Sequence, residues 1–321
     1  MTILVRIWGC RGSLPVAMNT TKLRSRLVKT LQAAQGKTLT SKDEIIRFMD
    51  AELDFSVTHT FGGNTSCVEI ESGGSDYVAC DLGSGAREFG NRVLASQGSG
   101  KSNTFHFFMS HLHWDHIMGF PFFVPAYLPG NKVRIYGCHP NLAEGFNRQQ
   151  HEHHFPVKLS QMAADIQFIQ LEAGVTTDIA GLKVTPKLQQ HSGDSYGYRF
   201  EKDGKIIVYS TDSEHKLENT EHTKGFVAFF QNADLVLFDA MYSLADTASV
   251  NEDWGHSSNI VGVELCQMAD VKHLCLFHHE PSNEDDQLET LWRDSQRLEE
   301  ITRGDHTLRI SSAFDGMEIL I

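Results

Sequence analysis

Four potential metal ligands fall within six residues, His111-Leu112-His113-Trp114-Asp115-His116, directly after a short run of aromatic and apolar side chains. That run, Asn103 to Met109, has the weight of a buried strand, and Gly119 with Pro121 marks the turn beyond it. The ligand set is therefore predicted at a strand's end. Residues two apart in an extended segment point the same way, so His111 and His113 are placed to meet one cation. Asp115 and His116, where the chain leaves the strand, turn toward a second. A lone loop histidine needs no such explanation, but packing gives no reason to group hydrated, titratable side chains against a hydrophobic strand.

A chain of 321 residues with 40% hydrophobic content can bury a large core, and one domain over 1–321 is expected. Its net charge of -13 repels a long phosphate backbone, and no basic patch overrides it. Nucleic acid is thus a disfavoured partner. Cys10, Cys67, Cys80, Cys138, Cys266 and Cys275 form no CxxC pair and read as reduced core residues. The N-terminal apolar stretch meets Arg6 and then glycines before reaching signal-peptide length, and no apolar run approaches ~20 residues. A cytoplasmic protein without a membrane span is the expectation.

Along the chain, Thr2 to Trp8 reads as a strand, and then the pattern turns helical from Thr20 to Phe55. Leu23, Leu27 and Leu31 recur every four residues, and Ile45, Ile46, Met49 and Leu53 form a second stripe. This is read as a helical hairpin inserted at about 18–58, with Thr40 and Asp43 as a capping box for its second helix. Its two apolar stripes are expected to be buried, over the site mouth or in a homodimer interface. Strands then alternate with helices, giving an α/β class. His151-Glu152-His153-His154 invites a second metal site, but Arg148, Gln149 and Gln150 beside it indicate a solvated polar face.

Asp81, His191, Asp212 and His278 each follow or flank a strand-like segment, so they and HLHWDH can gather along one edge of stacked sheets. One cation would take His111, His113 and His191. The other would take Asp115, His116 and His278, with Asp212 bridging the two and Asp81 orienting a ligating imidazole. Imidazole and carboxylate without thiolate suit zinc first, with manganese or iron as alternatives. Two such cations ~3.5–4 Å apart acidify a shared water and hold both attacking and leaving oxygens of an ester. Hydrolysis follows, with phosphodiesters gaining most.

The order Asp81, HLHWDH, His191, Asp212, His278 resembles the metallo-β-lactamase fold superfamily over most of the chain. What the resemblance implies is an αββα sandwich with a dinuclear site at the open edge of its sheets. Within it the chain is most similar to the branch of tRNA 3′-end-processing endonucleases and cyclic-nucleotide phosphodiesterases. The Asp212 bridge, Gly197-Tyr198 after His191, and Trp254-Gly255-His256-Ser257-Ser258 carry that likeness. In the branch, the histidine matching His256 contacts the scissile phosphate and protonates the leaving oxygen, and Asp115 is counted with it as catalytic. The family spacing favours His278 over the adjacent His279 as ligand.

Two departures matter. The endonucleases carry a basic or glycine-rich arm, which Pro140 to Ala173 is not, and the insertion lies outside their pattern. The expectation is a phosphodiesterase acting on a small, cyclic-nucleotide-like substrate. Alternatives are an RNA-processing endonuclease, a thioester or lactone hydrolase on the same site, or a non-catalytic nucleotide-binding protein.

Overall fold

The computed structural model describes residues 2–97, 101–243 and 255–321. Its strands are β1 (Leu4–Gly9), β2 (Cys67–Glu71), β3 (Tyr77–Cys80), β4 (Thr104–Phe108), β5 (Lys132–Gly137), β6 (Asp165–Gln170), β7 (Thr177–Ile179), β8 (Leu182–Gln189), β9 (Ser195–Lys202), β10 (Lys205–Ser210), β11 (Leu235–Asp239), β12 (His273–Phe277), β13 (Arg309–Ser312) and β14 (Glu318–Leu320). The helices are α1 (Thr20–Ala33), α2 (Lys42–Glu52), α3 (Phe55–Thr58), α4 (Ala86–Gln97), α5 (Trp114–Ile117), α6 (Leu142–Gln149), α7 (Thr220–Phe230), α8 (Asn259–Met268) and α9 (Asp285–Thr302).

Two seven-stranded sheets run in the orders β14-β1-β2-β3-β4-β5-β6 and β13-β12-β11-β10-β9-β8-β7. Strands β3 to β6 are parallel in the first, and β10 to β13 in the second. Parallel strands covered on both faces carry continuous apolar runs, and β11 and β12 are buried at every residue. Alternation then decides the layers. Val5, Ile7, Phe108, Phe200, Tyr209, Leu237 and Phe277 meet between the sheets. On the outer face of the first sheet, Phe105 and Phe107 lie under Phe89 and Val93 of α4. On that of the second, Val208, Val236 and Leu274 lie under Phe226 of α7, Val263 of α8 and Leu291 of α9. The layers are helix, sheet, sheet, helix, the αββα sandwich expected.

The insertion departs from expectation at its cap and, in part, at its leucine stripe. The capping box is Ser41 with Glu44, one residue beyond the pair read from the sequence. Thr40 is drawn in too, donating its N–H and hydroxyl to the Glu44 carboxylate. Within the chain the leucine stripe packs over nothing, Leu27 being 55% and Leu31 69% exposed, which overturns burial over the site mouth and leaves the stripe open on the face expected of a homodimer interface. The face of α1 turned inward is polar. Lys22 pairs with Glu284 at 2.9 Å, and Arg26 pairs with the buried Asp285 at the start of α9. Glu289 of α9 accepts the N–H groups of Phe55 (3.1 Å) and Ser56 (2.9 Å), fixing α3. Charge orients the insertion, and its leucines take the side left over. The six cysteines are buried and unpaired, as read. Among the described residues no helix is long and apolar enough to cross a membrane.

Candidate metal centre

Parallel α/β sheets gather ligands at the carboxyl ends of their strands, and the candidate residues lie there. Asp81 follows β3, HLHWDH follows β4, Asp212 follows β10, Asp239 closes β11 and His278 follows β12. His191 stands in the turn between β8 and β9. Asp81, Asp212 and His278 all have left-handed backbones, with φ of 58°, 45° and 59°. Each such residue costs of order 1–3 kcal/mol, a strain that clusters at functional sites. Here it bends the chain sharply off the strand.

The side chains converge. Ligand atoms of His111, His113 and His191 form one group, and those of Asp115, His116, Asp212 and His278 a second, each within 4.8 Å. Asp212 stands between them: Oδ2 is 3.7 Å from Nε2 of both His111 and His191, whereas Oδ1 is 3.2 Å from His116 Nε2 and 3.3 Å from His278 Nε2. Asp115 Oδ2 lies 3.2 Å from His116 Nε2 and 3.3 Å from His278 Nε2. It also accepts the Ser13 N–H at 2.7 Å. The first group opens to solvent at His113, and the second is buried throughout.

Neighbours fix which nitrogen faces inward. His116 Nδ1 lies 2.8 Å from Asp81 Oδ2, and Asp81 also accepts Ser110 N–H, Ser110 Oγ–H and Tyr209 O–H. His191 Nδ1 donates to the Gly255 carbonyl at 2.8 Å, which leaves its Nε2 a lone pair toward the centre. Glycine is required there, since φ is +80° and a Cβ would sit 2.5 Å from His191 Nδ1. Gly12 is equally constrained by space, its Cβ position lying 2.6 Å from His278 Cε1.

The donor set fits divalent cations. His111 Nε2 and His116 Nε2 are buried without a hydrogen-bond partner among the described residues, a costly state unless a cation accepts their lone pairs. Burial holds the His111 imidazole well below its ordinary range, and burial with His191 lowers His113. Burial would raise Asp212, but His278, His116 and His111 outweigh it and hold the carboxylate ionised. His116 is the exception: burial would lower it, but Asp212, Asp115 and Asp81 hold it well above its ordinary range, so a cation there would take the place of its proton. Neutral imidazoles and ionised carboxylates are the forms that bind a cation.

His256 stands beside both groups, its ring 5.0 Å from that of His191 and 5.1 Å from that of His278. Its Nδ1 lies 2.8 Å from Asp239 Oδ2. Burial would lower it, but Asp239, with Asp212 and Asp115, holds it up to about 9. Asp239 was missed as a partner, although a carboxylate closing a strand, as at Asp212, was the available signal. Tyr209 and the Ser13 N–H left no signal at all. Trp254 lies outside the described residues. His279 turns away, its Nε2 2.8 Å from the Ala313 carbonyl, so His278 is the one facing the centre. His151 to His154 form an exposed turn and gather no cluster among the described residues.

Residues 102–279 match the beta-lactamase superfamily domain. Ribonuclease BN of Proteus mirabilis (strain HI4320) is 24% identical over 218 residues, covering 53% of this chain and 69% of that protein. Among solved structures, the metallo-beta-lactamase fold protein YhfI from Bacillus subtilis superposes with a TM-score of 0.66 at 16% identity, over 100% of this chain and 99% of that one. A diphosphatase from the PhnP family superposes with a TM-score of 0.59, also at 16% identity, over 100% and 98%. At such identities the structures share the fold.

Proposed function

The chain belongs to the beta-lactamase superfamily, a fold family of metal-dependent hydrolases, and from that premise we propose a dinuclear phosphodiesterase acting on a small, nucleotide-like phosphodiester. The observation that carries the reading is Asp212, which presents one carboxylate oxygen to each of two ligand groups. In this reading His111, His113 and His191 hold one cation, Asp115, His116 and His278 the other, and zinc suits the set. Bound there, the cations supply Lewis acidity to phosphoryl oxygens and activate water.

The chain's own groups do the rest. Asp81 and the Gly255 carbonyl keep the imidazoles oriented. His256, protonated and steadied by Asp239, delivers a proton to the departing oxygen. Relatives named as a ribonuclease and a diphosphatase support phosphoryl chemistry. The ribonuclease also favours RNA as a second reading, which the net charge of -13 opposes.

The test is a substrate panel for metal-loaded protein: 2′,3′- and 3′,5′-cyclic nucleotides, bis-p-nitrophenyl phosphate, a lactone, a thioester and a tRNA precursor. Turnover of the cyclic nucleotides and bis-p-nitrophenyl phosphate is expected. Turnover of the lactone or thioester alone would move the protein to another ester class. Tight, steeply salt-dependent binding and cleavage of the tRNA precursor would establish the RNA reading instead.

A further inference from the structure

Each ligand group draws on both sheets. His111, His113, Asp115 and His116 follow β4 of the first sheet, whereas His191, Asp212 and His278 belong to turns of the second. A metal–ligand bond tolerates errors of ~0.2 Å, so the sheets must keep their separation at this edge to a few tenths of an ångström. Most of what lies between them sets no such distance. Val5, Ile7, Phe108, Phe200 and Phe277 pack there, and apolar contact is non-directional.

Two side chains in that layer are directional. Tyr198 of β9 and Tyr209 of β10 stand opposite each other in the second sheet, and both are fully buried. Facing sheets lie ~10 Å apart, a gap that a phenol crosses with its ring in the core and its oxygen at the far side. Both do so. Tyr198 donates its O–H to the Met109 carbonyl at 2.7 Å, and Tyr209 donates to Asp81 Oδ2, also at 2.7 Å. Beside these contacts the Tyr196 N–H donates to the Ser110 carbonyl at 2.9 Å. Met109 and Ser110 are the two residues before His111, and Asp81 holds both Ser110 and His116. The strand end that carries the first sheet's ligands is thus hydrogen-bonded across the core to the sheet that carries the others.

Burial raises both phenols well above their ordinary range, which keeps each O–H a donor. Tyr136 of β5 shows the alternative arrangement. Its ring lies in the same layer, but its oxygen is 3.0 Å from Nδ1 of His106, in its own sheet.

We propose that Tyr198 and Tyr209 are positioning residues for the metal centre, fixing the separation of the two sheets at the ligand edge. Tyr198 acts through the chain before His111, and Tyr209 through Asp81 and His116. The proposal rests on the dinuclear reading and says what sets the distance between its two halves.

The test uses cobalt(II)-loaded wild type, Tyr198→Phe, Tyr209→Phe and Tyr136→Phe. Competition with a chelator gives the affinity, and the visible absorption of the bound ion reports its coordination geometry. Each substitution removes one buried hydroxyl and keeps the ring, and thermal unfolding of the loaded proteins confirms the fold. Groups that support metal ligands typically contribute ~10–100-fold to affinity. Tyr198→Phe and Tyr209→Phe should each weaken cobalt binding by that factor and alter the absorption bands. Tyr136→Phe should keep wild-type affinity and bands.

Wild-type affinity and bands in Tyr198→Phe and Tyr209→Phe, or an equal loss in Tyr136→Phe, overturns the proposal and leaves the dinuclear reading standing. A wild type that holds one cobalt ion, weakened by Tyr198→Phe and Tyr209→Phe but not by Tyr136→Phe, keeps the positioning role and removes the dinuclear reading. A wild type that takes up no cobalt overturns both.

Discussion

At the carboxyl edge of the sheets, His111, His116, Asp212 and His278 are buried, whereas on α1 Leu23, Leu27 and Leu31 face solvent above a polar, ion-paired underside. Both regions invert the ordinary sorting of side chains, and the inversions differ in kind. At the edge, buried imidazole nitrogens lack partners, an expense of ~1–3 kcal/mol each that a bound cation would offset. On α1 the polar underside is satisfied by Glu284 and Asp285, and what is forgone is the burial of leucines, ~1.5–3 kcal/mol each. Unsatisfied buried groups point to a ligand. Satisfied ion pairs show that charge has set the helix's orientation, and they leave its leucines on the open side of the chain.

The largest effect that sharpens this contrast is expected at His256. If it gives a proton to the leaving oxygen, His256→Ala keeps metal bound and lowers kcat by roughly 10²–10⁴-fold. The loss should be large for a ribose leaving group and small for p-nitrophenolate, which departs unaided. Equal losses on both would make His256 a phosphate-positioning group, and lost metal would make it part of the ligand framework.

A smaller effect lies at the seam between the two regions. Asp315 accepts the N–H groups of Gly63 and Asn64, both at 2.9 Å, just after the insertion rejoins the sheets. Burial, only partly opposed by those N–H groups, raises its carboxyl to about 6. A raised carboxyl favours the folded state while protonated, so its contribution is present below pH ~4 and lost as pH rises through 6. Asp315→Asn should therefore gain on wild type by ~2–3 kcal/mol between pH 4 and pH 7. Denaturant unfolding at several pH values measures it, and a pH-independent difference would show that Asp315 titrates normally.

The smallest effect is expected on the leucine stripe. Leu27→Glu with Leu31→Glu should change the unfolding free energy by no more than ~0.5 kcal/mol per site, as for exposed positions. A loss of ~2–5 kcal/mol per site would show that the stripe is buried in the assembled protein and would erase the contrast.

How legible these regions were from the sequence follows from the same physics. The two sheets and the strand-end residues could be read because apolar runs and ligand types are local features. Asp212 and His278 followed clear strands, and His111 to His116 announced themselves by grouping. The orientation of α1 was not legible. Its leucine periodicity says which residues share a face, but Asp285, hundreds of residues away, decides which face turns inward. The capping box slipped by one residue because Thr40 and Ser41 both engage Glu44, Thr40 donating its hydroxyl to the carboxylate and the Ser41 hydroxyl oxygen accepting the Glu44 N–H. Asp239 escaped because its partner, His256, sits on a different segment of chain.

The bridging carboxylate is the centre of the account, and metal content tests it most directly. Elemental analysis of well-loaded wild type should find close to two divalent ions per chain, and Asp212→Ala should retain at most one. One tightly bound ion in wild type, unchanged in Asp212→Ala, would contradict the dinuclear centre.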